Sequence, residues 1–141
     1  MKLVVDASVA VKWFLRTKSD EQHRPHAENV LKRIEKCDTE FLAPAHWIAE
    51  VIGVLTRVDS SQVEAAISFL TDMRPRIIDG IPAMRRAANF AIKHKHHIFD
   101  TLYYAVALET GATLVTADER YFAKARGEGL IVMLQDFKAP A

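Results

Sequence analysis

Residues 1–14 read MKLVVDASVAVKWF. A charge-free run, Leu3–Val5, stops abruptly on Asp6, and apolar residues resume just after Ser8. Short, β-branched and uninterrupted, residues 2–6 have the composition of a buried strand. SVAVKWFL (8–15) then reads as a helix. Asp is a favoured N-cap at such a junction. The same position is the carboxyl end of a strand, where open α/β sheets form their sites. Asp6 alone fits both descriptions.

The pattern returns near the other end of the chain. ATLVTAD (112–118) is a strand ending on Asp118, and ERYFAKARGEG (119–129) follows as a short helix and turn. Between the two copies come a polar loop (16–24), a helix led by Pro25 (25–37), and a strand closed by Pro44 (40–44). An amphipathic helix (45–57) follows. The next helix (60–73) has Ser61 and Glu64 spaced as a capping box. A short strand (76–80), a Pro-led helix (82–95) and a helix opened by Asp100 and stopped at Gly111 complete the middle. LIVML (130–134) is the last strand, and 135–141 a frayed tail. Short strands separated by helical stretches imply βα units. The expected fold is therefore α/β, three layers (α/β/α) with a mostly parallel central sheet.

The chain has 141 residues, enough for one domain spanning 1–141 with its own core. Its formal net charge of +1 excludes the basic excess that marks an obvious nucleic-acid binder, so any such contact must rest on local placement. Cys37 is the only cysteine, which excludes an internal disulfide and any CxxC metal or redox motif. No run reaches the ~18 apolar residues of a membrane span, and the start reads as a strand rather than a signal peptide. A cytoplasmic location is expected.

Four acids gain meaning together. Asp6 and Asp118 end strands that should point to one edge of the sheet, and Asp100 starts a helix. Glu50 lies at the margin of the apolar stripe of 45–57, beside Trp47 and Val54. A carboxylate facing partly inward needs a salt-bridge partner or a cation. Converging carboxylates repel by about 4 kcal/mol at 4 Å and an effective dielectric of 20, unless protons or a divalent cation intervene. An all-oxygen set suits Mg²⁺ or Mn²⁺ rather than zinc, and such an ion activates water for attack on a phosphodiester.

Three stretches resemble the PIN-domain family, and within it the VapC-type toxins of toxin–antitoxin pairs. VVDASVAVKWF is similar to the family's first strand and acid, and LAPAHWIAEVIGVL to its P-x(5)-E-V segment. HHIFDTLYYAVALETGATLVTADERYF resembles its D-x-x-Y-x-x-x-A helix followed by T-x-D. The resemblance implies a Mg²⁺- or Mn²⁺-dependent endoribonuclease, a homodimer silenced by a small cognate antitoxin. In that reading Asp6, Glu50 and Asp100 hold the metal, and Asp118 ligates it directly or through water. Ser8 and Thr116 match small hydroxyl positions that orient acids or water. Gly53 stands where relatives commonly carry Asn, and Thr101 where Ala is usual.

Other features carry plainer readings beside functional ones. Lys12, Arg16, Arg120 and Lys124 follow the strand-end acids and would flank the site to hold RNA phosphates, or form an ordinary solvated face. Trp13, Tyr103, Tyr104 and Tyr121 are core residues or base-stacking platforms. The HKHH stretch (94–97) is expected to be a solvated helix terminus. Ile52, Phe69 and Leu70 are left over as a dimer surface. Two other functions compete: a catalytically idle PIN-fold module that only binds RNA or protein, and an aspartyl phosphotransferase or receiver-type domain. Ser8 breaks the D-x-D pattern that one class of phosphotransferases needs.

Overall fold

The computed structural model describes residues 1–15 and 23–139. Its elements are β1 (Lys2–Val5), α1 (Ala7–Ala10), α2 (Arg24–Ile34), β2 (Glu40–Ala43), α3 (Trp47–Val58), α4 (Val63–Asp72), β3 (Arg76–Ile77), α5 (Ile81–His94), α6 (Ile98–Thr110), β4 (Thr113–Thr116), α7 (Glu119–Ala125) and β5 (Ile131–Met133). Single 3-10 turns lie at Val11–Trp13, Ser60–Gln62, Arg126–Glu128 and Leu134–Asp136.

The five strands form one sheet in the order β3-β2-β1-β4-β5, and every neighbouring pair is parallel. Leu3, Val4 and Val5 are all completely buried. Successive strand side chains point to opposite faces, so both faces of β1 are covered. That is why the strand reads as an unbroken apolar run instead of an alternation. Helix α6 packs across β1, β2 and β4, while α1 packs on α3 and β4. Ala83, Ala87 and Ala105 let α5 lie close along α6.

The topology places the site. From β1 the chain adds β2 and then β3 on one side, and only afterwards returns to lay β4 on the other edge of β1. Strand order reverses between β1 and β4, which leaves a crevice beyond their carboxyl ends. Val5 stands opposite Val115, and the Asp6 amide donates to the Val115 carbonyl at 3.0 Å. This register sets Asp6 beside Thr116.

Several local expectations are corrected. The helix over 8–15 is one α-turn followed by a 3-10 turn; β-branched Val9 and Val11 are weak helix formers. Ser61 does not form a capping box: its hydroxyl donates to Asp59 Oδ1 at 2.5 Å, a charged acceptor that outcompetes a backbone amide. Helix α6 starts at Ile98 rather than at Asp100, which makes Asp100 a first-turn residue instead of the cap. Leu70 is fully buried and belongs to the core, whereas Phe69 and Ile67 remain partly exposed. Gly111 ends α6 in the left-handed conformation (φ 70), as its position predicts. Most of the polar loop, with Arg16, and the end of the tail lie outside the described residues.

Candidate active site

Asp6 is only 7% exposed. The Thr116 hydroxyl, itself wholly buried, donates to Asp6 Oδ2 at 2.7 Å and accepts the Asp118 amide at 3.1 Å. One side chain on β4 thus fixes both strand-end acids. Asp6 Oδ1 also accepts the Ser8 amide at 3.4 Å, and Asp118 Oδ1 accepts the Tyr121 amide at 3.0 Å. Each acid caps its helix with one oxygen, so capping and site membership coexist. The Ser8 hydroxyl accepts the Ala117 amide at 3.1 Å. It orients the turn after β4 rather than an acid.

Glu50, in the first turn of α3, accepts the Tyr103 hydroxyl at 2.8 Å and lies 3.1 Å from His46 Nε2. His46 Nε2 also donates to the Phe99 carbonyl at 2.8 Å, tying α3 to the start of α6. Asp100 Oδ2 lies 2.9 Å from His96 Nε2, and His96 Nδ1 lies 3.1 Å from Lys124 Nζ. Ligand atoms of His96, Asp100 and Asp118 all fall within 4.8 Å of one another.

The electrostatics tie Asp6 to the other two acids. Burial, with the charges of Glu50 and Asp100, pushes its carboxyl up to about 6, against the pull of the Thr116 and Ser8 hydrogen bonds. Burial and then the charges of Glu50 and Asp6 drive the Tyr103 phenol far up, so it remains a hydrogen-bond donor. Tyr121 is pushed up by burial and by Asp6, and its buried hydroxyl has no partner among the described residues. Two cavities open beside Asp100. One of about 530 Å³ is lined by His46, Glu50, Phe99 and Asp100. The other, about 280 Å³, is lined by His96, Asp100, Asp118, Arg120 and Lys124.

Trp13, Tyr103, Tyr104 and Tyr121 are all buried, so they are core residues and present no open face for stacking. Lys12 is half-buried and Arg120 exposed. The HKHH expectation is corrected at one position. The His96 side chain is only 11% exposed and sits against Asp100, because α5 ends on a left-handed Lys95 and the chain doubles back. The signal that could have found His46 and His96 is a shared spacing: each stands four residues before a site acid. Gly53 is exposed, with open space where a side chain would project. Thr101 is buried and donates to the Ala87 carbonyl at 3.0 Å, bonding α6 to α5.

None of the curated proteins compared matches the chain. Several solved structures share its fold. A toxin–antitoxin complex from Klebsiella pneumoniae superimposes with a TM-score of 0.67 at 14% identity, covering 94% of this chain and 97% of that one. VapBC-1 from nontypeable Haemophilus influenzae gives 0.65 at 18% identity, over 96% and 100%. VapBC2 from Rickettsia felis, bound to a promoter DNA fragment, gives 0.66 at 17% identity, over 94% and 97%. The family pattern described as the PIN domain matches residues 3–128. The chain belongs to the PIN domain family.

Proposed function

We propose that the protein is a Mg²⁺- or Mn²⁺-dependent endoribonuclease, the toxin of a toxin–antitoxin pair. The observation that carries this reading is the buried Asp6 at the β1–β4 switch point, whose carboxyl is raised to about 6 by burial first and then by the charges of Glu50 and Asp100. The donor set is mainly hard carboxylate oxygen, which fits these ions. The buried Tyr121 hydroxyl, without a partner among the described residues, suits a water at the same place.

When bound, such an ion supplies Lewis-acid charge at a phosphodiester and a water acidic enough to attack it. The chain's own groups prepare the site. Thr116 holds Asp6 to one orientation, and Tyr103 with His46 holds Glu50. Arg120, exposed on the rim of the smaller cavity, is placed to meet a backbone phosphate. Among the described residues no helix is long and apolar enough to cross a membrane, in keeping with action in the cytoplasm. The fold neighbours are toxin–antitoxin assemblies; by that likeness the partners are a small antitoxin and a second copy of the chain.

The test is cleavage of single-stranded RNA with Mn²⁺ by wild type, Asp6→Asn and Asp100→Asn, each shown to be folded. Wild type cuts and both variants lose at least ~100-fold in rate. Asp6→Asn cutting at the wild-type rate would refute the assignment.

A further inference from the structure

Helix α5 ends on Lys95 at φ 49 and ψ 53, a left-handed conformation that a residue with a side chain rarely adopts. The His96 amide returns to the Ala91 carbonyl at 3.1 Å, and the turn lays the imidazole between Asp100 and Lys124. The ring also packs 4.9 Å from that of Tyr121, centroid to centroid. Both ring nitrogens are therefore engaged, and their partners determine the tautomer. The Lys124 ammonium can only donate, so Nδ1 accepts and the ring proton sits on Nε2, facing Asp100 Oδ2. A nitrogen carrying that proton has no lone pair for a metal. His96 lies within ligand range of Asp100 and Asp118, yet it acts on Asp100 as a donor.

We propose that His96 and Lys124 are a positioning pair for Asp100, resting on the metal-binding reading above. Lys124 fixes the imidazole tautomer, and His96 occupies one carboxylate oxygen so that the other is presented to the divalent cation. In the familiar arrangement a carboxylate stands behind a metal-bound imidazole. Here the order is inverted, with imidazole behind carboxylate. The pair also links the turn between α5 and α6 to α7, closing one side of the smaller cavity.

The experiment is calorimetric titration of the metal-free protein with Mn²⁺, alongside thermal unfolding without metal to establish that each variant is folded. His96→Ala should weaken Mn²⁺ binding about 10–100-fold. His96→Gln, whose amide can still donate to Asp100, should recover most of that loss. Lys124→Met gives a test of sign. Removing a positive charge beside a cation site should tighten Mn²⁺ by electrostatics alone, whereas loss of tautomer control should weaken it severalfold. Unchanged binding in His96→Ala overturns the proposal, as does tighter binding in Lys124→Met. Equal loss in His96→Ala and His96→Gln overturns it too, by making the imidazole a direct ligand. A wild type that binds no Mn²⁺ at millimolar concentration removes the metal reading and this pair with it. The other outcomes leave that reading intact.

Discussion

Replacing Asp6 by Asn should make the metal-free protein more stable, by an amount that depends on pH. The Asp6 carboxyl rises from its ordinary 3.8 to about 6 on folding. Each pH unit of that rise is worth about 1.4 kcal/mol, so ionising the folded protein costs about 3 kcal/mol more than ionising the unfolded chain. Below pH 3.8 both states hold the proton and nothing is lost. Between 3.8 and about 6 the unfolded chain releases it first, so stability falls as pH rises. Above 6 the full penalty stands. Asn keeps an oxygen to accept the Thr116 hydroxyl, gives up only the long 3.4 Å contact from the Ser8 amide, and carries no charge. With EDTA present, urea unfolding at pH 7.5 should find Asp6→Asn more stable by about 3 kcal/mol, or roughly 10 °C in melting temperature. At pH 4.5 the gap should shrink to about 1 kcal/mol. Adding Mn²⁺ should stabilise wild type and leave the variant nearly unmoved. A less stable Asp6→Asn at pH 7.5, or one gap at both pH values, would show that the carboxyl is not held under repulsion and burial.

Thr116→Val removes the donor that steadies the Asp6 carboxylate and strands the Asp118 amide. It should cost about 1–3 kcal/mol, more at pH 7.5 than at pH 4.5, by the same urea assay. Lys95→Gly relieves the left-handed strain at the end of α5, and should raise stability by up to about 1 kcal/mol after the flexibility glycine adds to the unfolded chain. A destabilised Lys95→Gly would mean the turn is not strained.

The parts of the fold that were legible share one physical cause: a feature whose residue type has few other uses. Leu3–Val5 and Leu114–Val115 are buried on both faces, so their strands appear as plain apolar runs, and the acids ending them stand out. Gly111 is readable because its conformation suits few other residues. The Lys95 turn was not readable for the opposite reason. Lysine gives no sign of a left-handed backbone, so the doubling back that carries His96 onto Asp100 had no local signal. Ser61 misled because a capping-box spacing says nothing about Asp59 competing for the same hydroxyl. The start of α6 shifted because Ile98 and Leu102 pack with the Ala83–Ala87–Ala105 cluster, a tertiary contact invisible to a pattern read from Asp100 onward. Tyr103 was legible as a core residue, but its hydroxyl contact with Glu50 spans 53 positions.

The reversal of strand order between β1 and β4 also sets a timetable. A ribosome makes Asp6 well before its partner, for the hydroxyl that orients it lies 110 residues later. At about 5–20 residues per second that interval lasts roughly 6–20 seconds. During it, one edge of the sheet's middle strand has no partner, because β4 does not yet exist. A chain that stalls between residues 101 and 112 carries three of the four acids and none of the strand that joins the first to the last. Synthesis itself thus imposes a delay: Asp6 cannot be fixed in place until β4, with Thr116, has been made.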